Sequence, residues 1–292
     1  MVSERTYSTC EVAQMWNVSD STVKRWTDLG LLQCLRSPGG HRRFRLEDLI
    51  EFQSKRAFEA TGLLSTNEWE EPNLETWLNC RKFEKVRELL LYLAAQNQRS
   101  KVSGLLDRLY LRGMALEEIY EEVLAPVPAL TGAAGAIDGF SEGQSLLARN
   151  LIEEALNHLG PRLIRRRPNG RQVLCAAPVS GCRLPLTFLT RLLEVEGWET
   201  LYLGDEVPLG TVSQMVETEP VGMVCLYCDG RAGAVTGGKA LGQAARRYRI
   251  PVVLSVPRGE KSNIQDLDPE ERFDDLRDFR RYVRKVGAAV RA

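Results

Sequence analysis

The sequence predicts a multidomain chain. It should hold an all-α winged helix-turn-helix, a four-helix bundle and an α/β doubly wound parallel sheet. Three observations point to this order. Two short capped helices and a Pro-Gly-Gly turn fall within residues 7–56; helical periodicity runs through residues 77–163; and beyond residue 171 short apolar runs alternate with helical stretches. The 292 residues, 43% of them hydrophobic, suffice for two or three buried cores at about 150 residues per domain.

The N-terminal unit, residues 1–57, is read element by element. Thr9 is a candidate N-cap for a helix Cys10 to Trp16, with Val12, Ala13 and Trp16 on one side. Asn17-Val18-Ser19-Asp20 turns the chain, and Ser19 or Asp20 caps a second helix, Ser21 to Leu29, that Gly30 stops. Val23 and Trp26 face inward. Gln33 to Arg36 and His41 to Arg45 flank the turn Ser37-Pro38-Gly39-Gly40 and read as a hairpin. Glu47 to Phe52 continues as a helix. Trp16, Val23, Trp26 and Phe44 are assigned to the core. Ser21, Thr22, Lys24 and Arg25 stand near the start of the second helix, where hydroxyls and cations can meet base edges and phosphates in a major groove. Gly40 lets the backbone approach a duplex closely, and His41, Arg42, Arg43 and Arg45 bring the charge.

Residues 58–76 mix Gly, Ser, Thr, Asn and Pro with acids and read as a linker. Helices then follow at Phe83 to Gln96, Ser100 to Leu111, Leu116 to Leu124 and Ser141 to Leu159, making the bundle of residues 77–163. A basic spacer, residues 164–170, leads to residues 171–292. There Val173 to Ala177, Thr200 to Leu203, Val221 to Leu226 and Pro251 to Ser255 are the candidate strands. In a parallel sheet of this kind ligands sit beyond the carboxyl ends of the strands, so the loops after Ala177, Gly204, Tyr227 and Ser255 would carry a site. Gly230 to Gly238 has no phosphate-loop ending and reads as a mobile loop, and Asp266 to Arg291 reads as an acidic-then-basic amphipathic helix.

Charge balance narrows the partners. The chain has 39 Lys plus Arg and 39 Asp plus Glu, which excludes a wholly basic histone-like protein. Residues 1–56 hold nine basic and seven acidic residues, and Arg42, Arg43 and Arg45 concentrate that small excess on the hairpin. No apolar run reaches the ~20 residues that span a bilayer, and Met1 to Thr6 is polar, so a cytoplasmic location with no membrane partner is expected. The 7 Cys are scattered and read as reduced thiols. The 2 His lie in separate units, and no Ser-His-Asp set or acid-base pair is present, so no enzymatic activity is expected.

The segment STCEVAQMWNVSDSTVKRWTDLGLLQCLRSPGGHRRFRLEDLIEF resembles the winged helix-turn-helix of the MerR superfamily, in particular its excisionase-like branch. LRGMALEEIYEEVLAPVPALTG and LLEVEGWETLYLGDEVPLGTVSQMV, in a helical unit followed by a doubly wound one of Rossmann or flavodoxin type, resemble cobalamin-binding modules. Together the chain looks like the light-sensing, cobalamin-dependent repressors. The resemblance implies a Glu-x-His-x-x-Gly loop whose His coordinates cobalt; here Ser180, Cys182 and Pro185 stand at its Glu, His and Gly positions. Tyr227-Cys228-Asp229 stands where the family has Ser-x-Leu, and Ser255-Val256 where it has Gly-Gly. Phe140, Asn150 and Leu151 stand at the upper-face Trp, Glu and His.

These departures imply a retained scaffold with a lost or changed ligand: no cofactor is expected, cobalamin included. Cys175, Cys182, Cys225 and Cys228 raise the alternative of a metal or redox site, against small buried hydrophobes; on a strand, Cys225 and Cys228 would face opposite sides. The expected function is that of a bacterial-type transcriptional regulator that binds double-stranded promoter DNA and self-associates through its C-terminal module. A regulatory protein or an unidentified small ligand is a further candidate partner. The alternatives are a regulator that still binds cobalamin or another tetrapyrrole, and a thiol-responsive one acting through Cys182.

Overall fold

A computed structural model describes residues 6–15, 19–37, 39–45, 48, 49, 52, 73–127, 130, 136–230, 234–260 and 262–288. Trp16, the Asn17-Val18 turn, Pro38, most of the stretch 46–72, Pro128 and the last four residues lie outside the described residues.

The first unit begins with a strand that the sequence does not announce. β1 (Thr6–Ser8) pairs antiparallel with β3 (Arg42–Arg45), which pairs on its other edge with β2 (Leu35–Arg36), giving a sheet ordered β1-β3-β2. Helix α1 (Thr9–Met15) follows directly. Its cap is Ser8 rather than Thr9: Glu11 N–H donates to Ser8 Oγ at 3.3 Å and Ser8 N–H donates to Glu11 Oε2 at 2.7 Å, a reciprocal capping box. Helix α2 (Asp20–Asp28) is capped by Ser19, whose Oγ accepts from Thr22 N–H at 3.2 Å. Gly30 ends it at φ +68°, a left-handed conformation that glycine adopts without a Cβ clash. Tyr7, Val12, Val23, Trp26, Leu32 and Phe44 are buried together, and the Phe52 ring lies 5.1 Å from that of Trp26.

The helical unit comprises α3 (Leu74–Asn79), α4 (Phe83–Ala95), α5 (Arg99–Leu111), α6 (Leu116–Glu118) and α7 (Glu142–Leu159). α6 runs on as a π-helical stretch, Ile119–Leu124. α3 begins within the stretch 58–76 expected as a linker, with Leu74 fully buried and already helical, and residues 58–72 of that stretch lie outside the described residues. Ser141 and Gln144 close a capping box on α7.

The C-terminal unit is a five-stranded parallel sheet flanked by helices. Its strands are β4 (Gln172–Ala176), β5 (Glu199–Gly204), β6 (Val221–Tyr227), β7 (Val252–Ser255) and β8 (Glu271–Phe273), in the order β5-β4-β6-β7-β8. Its helices are α8 (Arg183–Val195), α9 (Leu209–Thr218), α10 (Gly238–Tyr248) and α11 (Leu276–Ala288). Side chains alternate between faces as strands require. Val173, Cys175, Cys225 and Tyr227 join one core with α8, α11 and the helical unit, whereas Leu174, Ala176, Leu226 and Cys228 join a second with α9 and α10. The helical unit and the sheet therefore share a core across the expected 163/171 boundary.

One expectation for the C-terminal end is corrected. The acidic stretch after Asp266 is not helical throughout: it supplies the edge strand β8, hydrogen-bonded to β7, before α11 begins. Of the Gly230 to Gly238 stretch, residues 231–233 lie outside the described residues, and the part that follows them is held in place. Val235 bridges to Ile264, and a Cβ on Gly238 would meet Gln265 O at 2.2 Å, so a glycine lets α10 start against that backbone.

One ion cluster ties these layers together. The Glu196 carboxylate, with no solvent-exposed side-chain surface, accepts from Arg280 Nε at 2.7 Å and Arg284 Nε at 2.9 Å, and pairs with Arg166 at 2.9 Å. Arg280 also reaches both oxygens of Glu117 at 2.8 and 2.9 Å.

Candidate functional site

α2 and the β2–β3 hairpin enclose an open groove of about 440 Å³. The structure brings Lys24, Gly40, His41, Arg42 and Arg43 to its wall, with Asp20 the one carboxylate there. Gly40 adopts φ +75° at the turn, and its N–H donates to Ser37 O at 2.8 Å. The arginines of β3 divide by strand alternation. Arg43 and Arg45 share the face opposite the buried Phe44, while Arg42 turns toward α2 and pairs with Asp28. Arg43 has no ion pair among the described residues, so its charge is the more available to an anion. Ser21 and Thr22 lie at the cap, their hydroxyls 2.7 and 2.9 Å from Ser19 Oγ. Lys24, Arg25, His41 and Arg45 are exposed. The groove is a cation-rich surface suited to a polyanion.

The second region lies where the strand order reverses between β4 and β6, the usual ligand crevice of such sheets. Pro185, Tyr227 and Ser255 line one cavity of about 270 Å³ with Tyr120, Leu189 and Arg258. Tyr120, from the π-helical stretch, is hydrogen-bonded to Tyr227, and its ring lies 5.0 Å from that of Phe188. Burial pushes both phenols above their ordinary pKa. Aromatic side chains thus fill much of the space between the helical unit and the strand ends.

The other positions scatter. Cys182 is buried beneath the helical unit; burial pushes its thiol up to about 12, against the Asp229 N–H that it accepts. Ser180 is exposed, Leu151 is buried in the core, and Phe140 packs half-buried against it. Asn150 lines a separate shallow polar hollow with His158 and Arg183, so the second histidine is away from the crevice. Cys175 and Cys225 are register partners on adjacent strands, and Cys228 faces the opposite side, its thiol donating to Asn263 Oδ1 at 2.7 Å. Their mutual hydrogen bond and burial hold the Cys225 thiol well above its ordinary value. The four cysteines do not converge. Among the described residues no group of three or more His, Cys, Asp or Glu side chains is placed to hold a metal ion.

A thiol with so high a pKa is a poor nucleophile. With the folded chain at neutral pH, iodoacetamide is expected to label Cys10 and Cys80, both exposed, and to leave Cys182 unmodified until denaturant is added. Peptide mass spectrometry reads this directly; rapid labelling of native Cys182 would contradict its burial.

Residues 6–57 match the family model described as a helix-turn-helix domain. The N-terminal unit is a helix-turn-helix domain. No curated protein sequence matches the chain. Among solved structures, the monomethylamine corrinoid protein of Methanosarcina barkeri is similar at 11% identity and TM-score 0.47, covering 70% of this chain and 99% of that one. A cobalamin-binding protein of Desulfitobacterium hafniense DCB-2 is similar at 14% identity and TM-score 0.32, over 70% and 98%. The methanol:cobalamin methyltransferase complex MtaBC of M. barkeri is similar at 13% identity and TM-score 0.38, over 93% of each chain. No helix among the described residues is long and apolar enough to cross a membrane. The helix-turn-helix domain includes the whole cation-rich groove, so the groove and the matched domain coincide.

Proposed function

We propose that the chain is a DNA-binding transcriptional regulator of MerR type, cytoplasmic and self-associating, in which a winged helix-turn-helix grips promoter DNA. The single observation that carries this reading is the groove of the helix-turn-helix domain, where Lys24, His41, Arg42 and Arg43 converge. α2 enters the major groove by its N-terminal turn, so Ser21, Thr22 and Arg25 meet base edges and phosphates, while the hairpin lies on the flanking backbone. The helical unit acts as a four-helix bundle beside a cobalamin-binding-like sheet that no longer takes cobalamin and has no catalytic role.

What supports the loss is fit. A corrin ring needs an open slot, and in the resembled modules a histidine lies beneath it. Here Tyr120 and Tyr227 are joined across the slot, Cys182 is a buried protonated thiol at the ligand position, and the remaining cavity of about 270 Å³ is below the ~300–1,000 Å³ of drug-sized sites. Gel filtration after mixing with cobalamins or haem is expected to give a colourless protein. The Cys182→His variant is expected to stay colourless too, because a ligand restored beneath a closed slot has nothing to coordinate. A coloured stoichiometric complex in either case would sink this part of the reading.

The DNA-binding part is tested by charge removal. Lys24→Ala and Arg43→Ala are each expected to weaken duplex binding about tenfold or more, as loss of a charge-assisted phosphate contact implies. Arg42→Ala should cost less, since Asp28 already holds that guanidinium. Fluorescence anisotropy with a duplex enriched by the full chain from a random pool measures all three. Equal affinities for wild type and both stronger variants would contradict the assignment.

A further inference from the structure

The spacer between the helical unit and the sheet is not absorbed by the function above. Its backbone is pinned on both sides. Ile164 is buried in the core of the helix-turn-helix domain with Tyr7 and Phe44, Tyr7 Oη donates to Arg165 O at 3.4 Å, and Ile164 N–H donates to Tyr110 Oη at 3.0 Å. Further on, Arg166 N–H donates to Val195 O at 2.7 Å and Asn169 N–H to Gly197 O at 2.8 Å. Gly197 packs so closely that a Cβ there would meet Arg167 O at 2.4 Å. The three consecutive arginines are thus held in place, and they differ in partners. Arg165 pairs with Glu194 and Arg166 with Glu196, both at 2.9 Å, whereas Arg167 makes no ion pair among the described residues.

Arg167 instead lines an open cleft of about 420 Å³ with Arg36, Arg43, Thr6, Leu35 and Ser37 of the helix-turn-helix domain. No carboxylate lines it. Arg36, like Arg43 and Arg167, makes no ion pair among the described residues. Three unpaired guanidinium groups around one cleft repel one another, a cost that a bound anion would reverse. Arg43 also lines the groove beside α2, so cleft and groove adjoin along the hairpin.

We propose that this cleft holds a phosphodiester of the bound duplex, with Arg167 reaching in from the spacer to complete a site begun by Arg36 and Arg43. The inference rests on the reading of the helix-turn-helix domain as the DNA-binding part. It adds a consequence: the duplex contacts the helix-turn-helix domain and the C-terminal part together, so any movement of the spacer changes affinity for DNA. The planar guanidinium suits a phosphate, and each phosphate neutralised adds about 0.9 to the salt dependence of binding.

The test is the salt dependence of duplex affinity for the full chain, using the same enriched duplex. Arg167→Ala is expected to reduce the magnitude of the slope of log K against log salt by about 0.9. Arg167→Lys, which keeps the charge, should retain the slope, and Arg247→Ala, on the remote helix α10, should leave it at the wild-type value. Thermal melting of each variant separates charge loss from misfolding. A wild-type slope in Arg167→Ala, with wild-type binding intact, overturns the phosphate site alone. Absence of salt-dependent binding by the wild type overturns the DNA-binding reading and this site with it.

Discussion

Glu196→Ala is expected to destabilise the C-terminal part of the chain by about 3–5 kcal/mol, the range for breaking a buried ion pair from one side. The carboxylate has no solvent-exposed surface and is shared by Arg166, Arg280 and Arg284, and Arg280 is itself clamped by Glu117. Removing it leaves three guanidinium groups crowded around an apolar methyl, with one remaining carboxylate among them. The same cluster sets a pH dependence. Burial alone would raise the pKa of Glu196, but the surrounding arginines outweigh it and hold the group below the ordinary carboxylate range. A depressed folded pKa gives stability that is present above the unfolded value and lost as pH falls through the folded one. Urea unfolding from neutral pH down into the acid range should therefore show wild-type stability falling below about pH 4, while Glu196→Ala, already destabilised, has lost this contribution to the fall. A variant within about 1 kcal/mol of wild type at neutral pH would contradict the cluster's role.

Phe44→Ala is expected to cost about 3–5 kcal/mol and to abolish DNA binding while the two C-terminal cores stay folded. Phe44 is fully buried on the central strand β3, facing Tyr7 across the sheet and packing beneath α1 and α2. Truncating it leaves a cavity in the small core that fixes the angle between α2 and the hairpin. The C-terminal cores share no strand with this sheet and meet its core through Ile164, so their own melting transition should persist, lowered by no more than the loss of that contact, while the duplex signal disappears. Loss of both transitions together would mean that the helix-turn-helix domain and the C-terminal cores unfold as one.

Much of the fold was legible because local chemistry and tertiary packing agree. Ser19 and Gly30 bound α2 as expected from capping and left-handed backbone, and the apolar runs at residues 173, 200, 221 and 251 became β4 to β7 within a residue or so. What was missed depends on distant partners. β1 and β8 have three residues each and exist by pairing with β3 and β7. Thr9 looked like a cap because a hydroxyl precedes the helix, but the glutamate three residues after Ser8 decides the matter. At the candidate sites, residue types alone singled out Arg42, Arg43 and Arg45 equally; only strand alternation and Asp28 distinguish them. Cys182 was correctly placed in the first loop after β4. Its burial, and the Tyr120–Tyr227 bond across the crevice, depend on two units meeting. Arg167 is one of several charges in the basic spacer, and only the docking of Ile164 places it beside the hairpin.

We propose a helix-turn-helix domain that binds DNA beside a crevice closed to corrinoids. Duplex affinity of the wild-type 292-residue chain, measured across a salt series with and without adenosylcobalamin, tests both halves at once. The expected result is tight binding that weakens steeply as salt rises and is the same in both series. Binding that is absent or insensitive to salt, or an affinity that shifts when the cobalamin is added, would contradict it.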